Sequence, residues 1–424
     1  MTDAVAAIRR RQGLAERLFE DLATKTRVGR GIRRPSYSPE ENFAHDLCAE
    51  TARGLGLEVA RDAAANTYMT LPGRDRTAPP VLMGSHLDSV DQGGNYDGAA
   101  GVVAGLTALA GLKDSGLVPA RDLVAMGVRA EESAWFQVSY VGSRAALGRL
   151  PAGALEGAKR VDTGRTLAQH MAECGGDPER LAKGPAHLDP TRLRAFLEVH
   201  IEQGPTLQDK GLPIGIGAGI PGNFRHPAIR VTGAYGHVGY AREYRRDAVL
   251  AAADLVTRLD ALWRDTLAQG RNMTMTVGRF FTEAEHHALT KVSGAVELSL
   301  DMRSTEPDLV KALEARFDAI VAEVAAARRV GIDPGPRTRA EVGLMDPAIR
   351  DAFRANAHEL AIAHMDLPSP AGHDSAAFSA AGVPTAMIFV RNDKGSHNPD
   401  ERMEMADFMD ATAVMGLWLA RNAA

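Results

Sequence analysis

Apolar residues recur along this chain at two periods, and the two periods predict its elements. Leu14, Leu18, Phe19 and Leu22 fall at helical spacing and predict a helix over residues 1–25. Residues 26–38, rich in Arg and Gly, read as a loop. Pro39, Glu40 and Glu41 start a helix to about residue 53, with proline in the first turn and acids against the helix dipole. Gly54 and Gly56 stop it. Residues 57–61 and 67–71 are short strands around an Ala/Asn turn. The apolar run 80–83 approaches as a buried strand that ends in His86, Leu87 and Asp88. A Gly-rich loop then leads to Asp97, and residues 98–113, apolar on nearly all sides, predict a buried helix. Residues 123–128 are continuously apolar, as in a sheet covered on both faces, and run into Glu131 and Glu132. Strand, helix, strand at this spacing implies a βαβ unit.

Residues 151–192 are polar, with Gly and Pro breaks, and read as helical decoration. The next strand, 195–202, carries His200 and Glu202 at its end. From Gly215 the pattern changes to a strand at 228–232, a helix at 247–267, strands at 272–280 and 295–303, a helix at 307–328 and a last strand near Gly331. This β-α-β-β-α order is that of a ferredoxin-like split βαβ module, complete in itself, and so reads as an insertion. The first pattern resumes near Asp346 with a helix at 347–364. A loop bearing Gly372, His373 and Asp374, a strand at 385–390, the loop 396–401 and a C-terminal helix follow. The expected fold class is α/β: a mixed, mostly parallel sheet sandwiched by helices at 1–213 and 331–424, with a ferredoxin-like α+β domain inserted at 214–330.

Composition narrows the function classes. Of 424 residues, 45% are apolar and 24% charged, ordinary for a soluble globular protein. The net charge of −5 offers no basic field for nucleic acid. No apolar run approaches the ~18 residues of a membrane span. The first 26 residues mix Arg, Glu and Asp and are not read as a signal peptide. Cys48 and Cys174 are too few for a disulfide framework and lack a zinc-finger spacing. A cytoplasmic location is the expectation.

The chemistry lies at the strand ends. Singly, each candidate has a plain reading: His200 between Val199 and Ile201 suits a core histidine, His397 a turn, and Glu131-Glu132 a surface acid pair. Together, His86, Asp97, Glu132, His200 and His397 each stand at a strand end or in the loop after it. Imidazole and carboxylate in that number fit two divalent ions, zinc first, with one carboxylate between them. Asp97 is the natural bridge, Asp88 is near enough to orient His86, and the other acid of the 131–132 pair is free to act as general base.

The motifs G-S-H-L-D-S-V (84–90), N-Y-D-G (95–98), E-E-S (131–133), G-S-R (142–144), L-E-V-H-I-E-Q-G-P (197–205), A-G-H-D (371–374) and S-H-N-P-D-E (396–401) resemble the amidase, hydantoinase/carbamoylase family of di-zinc exopeptidase-like amidohydrolases. The resemblance spans nearly the whole chain, and H-I-E-Q-G is its most diagnostic mark. It implies an exopeptidase-like catalytic domain with an inserted lid and dimerisation domain. It implies two metal ions per subunit, zinc or else manganese, cobalt or nickel. His86, Asp97 and His200 would hold one ion and Asp97, Glu132 and His397 the other, with Glu131 as general base acting on the water between them. Arg303 would grip a substrate carboxylate. His237 would reach a partner subunit's site in a homodimer. Asn223, Thr290 and Gly372 fall where family members touch substrate, with His287 and His373 beside them as further candidates.

The lid departs from the family pattern. The usual H-A-G-T-x-P reads His237-Val238-Gly239-Tyr240-Ala241-Arg242, and the usual substrate-binding Asn is Thr290, with His286, His287 and Lys291 nearby. The expected activity is hydrolysis of a linear amide or ureido C–N bond in an N-carbamoyl- or N-acyl-amino-acid-like carboxylate. The competing readings are a dipeptidase or N-acyl-amino-acid hydrolase, an allantoate amidohydrolase, and a non-catalytic dimeric binding protein, the last motivated by the altered lid.

Overall fold

The structure, a computed structural model, describes residues 2–422. Two compact units divide it: one runs to Ile220 and resumes at Leu344, and the other is Pro221–Gly343. The boundaries expected at 213/214 and 330/331 both lie further along the chain, at 220/221 and 343/344, and hydrogen bonding explains why. Ile214–Gly219 pairs with His364–Pro368 and Thr385–Val390, so the first sheet keeps the chain past residue 213. Gly331–Asp333 and Thr338–Ala340 both pair with Gly222–Thr232, so the second sheet keeps it past residue 330.

The first unit is built on an eight-stranded sheet. Its order is His364–Pro368, Ile214–Gly219, Thr385–Val390, Ala195–Ile201, Val81–His86, Leu123–Val128, Thr67–Leu71, Glu58–Arg61. The four strands from Thr385–Val390 to Leu123–Val128 run parallel, with antiparallel neighbours on both sides. Every residue of those four strands is buried, which is why they read as apolar runs rather than an alternation, with Glu198 and His200 interrupting Ala195–Ile201. The helix Ala99–Asp114 is buried from Ala99 to Leu112. It packs against Val81–His86, against the N-terminal helix Thr2–Arg10 and against the C-terminal helix Met405–Asn422.

Three local expectations change. The helix expected over 1–25 is two, Thr2–Arg10 and Gln12–Thr26, with a turn at Arg11, whose guanidinium is anchored by Asp114 at 2.6 Å. The loop expected at 26–38 contains a small ribbon, Arg27–Val28 with Gly31–Ile32, and Ile32 bonds in both directions to Gly93. The helix expected to run to residue 364 stops at Glu359; Ala361 turns the chain at φ 54°, and His364 opens a strand.

The second unit is a six-stranded sheet with two helices, Ala248–Ala268 and Pro307–Arg328. Phe224, Leu255, Leu298 and Phe317 are fully buried in its core. The strand expected at 272–280 is two, Thr274–Thr276 and Phe280–Thr282, both paired with Ala295–Ser304 on either side of a register shift between Leu298 and Leu300. Gly236–His237 forms a separate ribbon with Lys291–Val292. Among the described residues no helix is long and apolar enough to cross a membrane.

The first unit's core predicts its own sensitivity. Phe196 is fully buried and its ring stacks on Phe378 at 3.8 Å. Phe196→Ala is expected to cost about 3–5 kcal/mol, read as a lower urea midpoint; an unmoved midpoint contradicts this packing.

Candidate metal centre

The four parallel strands end on one edge of the sheet, where such sheets bind ligands. His86 is the last residue of its strand, and His200 the last but one of its own. Glu131 and Glu132 follow Leu123–Val128 through Ala130, which turns the chain at φ 51°. His397 lies in the loop after Thr385–Val390, and Asp97 stands just before the helix Ala99–Asp114.

These side chains converge. His86, Asp97 and His200 offer ligand atoms all within 4.8 Å of one another, as do Asp97, Glu132 and His397, and as do His86, Glu131 and Glu132. Asp97 belongs to the first two groups and divides its oxygens between them. Oδ1 lies 3.2 Å from His200 Nε2 and 3.6 Å from His86 Nε2. Oδ2 lies 3.2 Å from His397 Nε2, which is also 3.2 Å from Glu132 Oε1. Glu131 Oε2 stands 4.0 Å from His86 Nε2.

The far sides of the rings are held. His86 Nδ1 lies 3.1 Å from the Asp88 carbonyl and 3.3 Å from its carboxylate. Asp88 also accepts from Ser36 Oγ at 2.6 Å and from the backbone N–H groups of Glu131 and Glu132, so one carboxylate ties two strand ends together. His200 Nδ1 donates to the Ile201 carbonyl at 2.9 Å, which leaves Nε2 for the site. Gly98 has to be glycine: φ is +67°, and a Cβ there would lie 2.4–2.5 Å from the His86 ring.

The electrostatics are those of acids crowded in a dry place. Burial, helped by Glu132, Asp374 and Asp88 and opposed by His86, pushes Glu131 well above the usual carboxylate range. Burial also raises Glu132, against the pull of His397. Burial would raise Asp97 too, but His200, His397 and His86 outweigh it and hold Asp97 well below that range. His397, bonded to Asp97 and Glu132, is pushed up to about 11. Asp97 Oδ1 is buried without a hydrogen-bond partner, although two imidazoles face it. Three imidazoles and three carboxylates around such an orphaned oxygen fit divalent cations.

The remaining expected residues fall in two places. Gly372 and His373 lie in the first unit. A Cβ on Gly372 would meet the Tyr140 hydroxyl, and His373 packs on the His200 ring at 4.3 Å with Nε2 2.8 Å from Ser369 Oγ. Asn223, His237, His287, Thr290 and Arg303 belong to the second unit. There Asn223 sits opposite Arg303 on paired strands, and the Arg303 fork holds Asp301 at 2.9 and 3.0 Å. His237 is exposed, opposite Lys291, and the Thr290 carbonyl accepts from Val238 N–H. His287 Nε2 lies 2.6 Å from Thr282 Oγ1. Glu202, read as a potential ligand, instead caps the helix Thr206–Lys210 through Thr206 and Leu207 N–H.

Several residues around the site were not singled out in the sequence. Gln203 donates to Asp97 Oδ2 at 2.9 Å, the Ser396 hydroxyl lies 2.7 Å from both Asp97 Oδ2 and Glu401 Oε2, and Glu401 accepts from Tyr96 N–H. Glu198 accepts from Ser85 Oγ and Ser375 N–H. All lie inside or beside the motifs quoted above, so proximity to a ligand was the available signal. Arg34 and Ser36 carried none, being far from every ligand in sequence.

Imidazoles and carboxylates converging at the carboxyl ends of a mixed sheet define the site of a metal-dependent hydrolase. The profile of the Peptidase family M20/M25/M40 matches residues 82–421, and the chain belongs to that family. It is 33% identical to an N-carbamoyl-L-amino acid amidohydrolase of Geobacillus stearothermophilus, across 91% of this chain and 93% of that one. It is 27% identical to the allantoate amidohydrolase of Escherichia coli (strain K12), with 92% of each chain covered. The solved structure of a hydantoinase/carbamoylase family amidase from Burkholderia ambifaria superposes with a TM-score of 0.83 at 28% identity, covering 97% of this chain and 96% of that one. The chain is accordingly a metal-dependent amidohydrolase.

The close approach at Gly98 can be tested. Gly98→Ala is expected to weaken zinc binding by about tenfold or more, read by competition with a chromogenic chelator; unchanged affinity contradicts this geometry.

Proposed function

We propose that the chain hydrolyses the ureido or amide C–N bond of an N-carbamoyl- or N-acyl-amino-acid-like carboxylate. The observation that carries the reading is Asp97, whose two oxygens face two separate sets of ligand atoms. The relatives named N-carbamoyl-L-amino acid amidohydrolase support the substrate class.

On this reading His86, Asp97 and His200 hold one divalent ion and Asp97, Glu132 and His397 a second, zinc first, with manganese, cobalt or nickel as alternatives. Such a pair supplies Lewis acidity and a nucleophile at neutral pH. The chain's own residues do the rest. Glu131, buried and raised, is suited to take a proton from the attacking water and return it to the leaving nitrogen. Asp88 keeps the His86 ring and the Glu131 backbone in register. Arg303 has the bidentate geometry a substrate carboxylate needs, and its fork already holds the carboxylate of Asp301. Asn223, His287, Thr290, Gly372 and His373 complete the proposed substrate contacts. His237 stabilises the oxyanion, in a homodimer formed through the inserted domain and working in the cytoplasm.

Three experiments test this. Glu131→Gln is expected to keep its metal while turnover falls by about 10²–10⁴-fold, measured by elemental analysis beside a rate assay; near-normal turnover sinks the mechanism. Chelation is expected to abolish activity and zinc, manganese or cobalt to restore it. Assayed on N-carbamoyl, N-formyl, N-acetyl and ureido amino acids with product analysis, the holoenzyme is expected to release ammonia from carbamoyl or ureido substrates. Cleavage of the N-acetyl compounds alone narrows the substrate to the N-acyl class and removes the carbamoyl one.

A further inference from the structure

Arg34 is fully buried, and its backbone N–H and carbonyl bond to Ser89 Oγ and Ser89 N–H, both at 2.9 Å. Its Nε donates to the Leu87 carbonyl at 2.8 Å, and its Nη1 donates to Asn95 Oδ1 at 3.2 Å. Leu87 follows His86 directly, and Asn95 stands two residues before Asp97. Asn95 is fixed in turn, since its Nδ2 donates to the Phe19 carbonyl at 2.8 Å. One planar fork therefore grips both ends of the loop that joins His86 to Asp97. Arg34 Nη2, also buried, has no hydrogen-bond partner among the described residues. A guanidinium sunk this deep with an unpaired N–H is a costly filler, which argues for a role that an apolar side chain could not meet.

The geometry points to Arg34 as a positioning residue of the metal centre, whose fork sets the spacing of His86 and Asp97 as co-ligands. This rests on the proposed ligand reading. Positive charge alone does not suffice: a lysine ammonium is a point donor on a flexible stem and cannot present two N–H groups in a fixed plane to both ends of the loop.

The test is zinc affinity of the full-length chain, by competition with a chromogenic chelator, for wild type, R34K, N95A and the double variant. R34K is expected to bind zinc about 10–100-fold more weakly although it keeps the charge. N95A is expected to move in the same direction. The double variant is expected to be no weaker than R34K, because both changes remove one clamp. Wild-type affinity in R34K, or losses that add in the double variant, overturn the proposal. Should R34K not fold, as judged by a urea transition, wild-type affinity in N95A overturns it instead. A wild-type chain that binds no zinc overturns the ligand reading and the clamp together, whereas wild-type binding with an indifferent R34K overturns the clamp alone.

Discussion

The site depends on a single buried carboxylate. Asp97 presents Oδ1 to two imidazoles and Oδ2 to a third, and the chain on either side keeps it from turning. Gln203 and Ser396 hold Oδ2, and Glu401 accepts from the backbone N–H groups of Tyr96 and Asp97. Burial alone would protonate such a group. It stays ionised because His86, His200 and His397 surround it, two from the ends of parallel strands and the third from the loop after Thr385–Val390. The parallel order of those strands is thus a condition of the chemistry: reversing any one would carry its ligand to the far edge of the sheet.

Much of this was legible in the sequence. Strands buried on both faces write apolar runs, so 80–83, 123–128 and 385–390 stand out, and the chemical residues lie where those runs end. The inserted module was recognisable by its complete β-α-β-β-α order. The boundaries were not, because they depend on pairing. Ile214–Gly219 alternates isoleucine with glycine and has no conventional strand signature; its place is given by neighbours at His364–Pro368 and Thr385–Val390. Helix ends set by local turns, such as Arg11 and Ala361, were also missed, since neither is a glycine or a proline.

The supports of the site were the least legible part. Ser36 reaches Asp88, and Arg34 reaches Leu87 and Asn95, from a segment whose composition says only loop. No periodicity joins residues so far apart; the tie exists because Ile32 pairs with Gly93 and brings the two loops side by side. In the second unit the structure adds detail to the lid departures. Thr290 bonds through its backbone to the His237 ribbon, Lys291 stands opposite His237, and Arg303 engages Asp301. The proposed ligands sit in the motifs that resemble the family's, while the residues expected to choose the substrate carry this chain's own chemistry.

The central claim is that Asp97 is shared by two ions. Anomalous X-ray diffraction from zinc-loaded crystals tests it most directly. The account predicts two zinc peaks, one beside each Asp97 oxygen, the first among His86 and His200 and the second among Glu132 and His397. A single peak, or peaks away from Asp97, would contradict it.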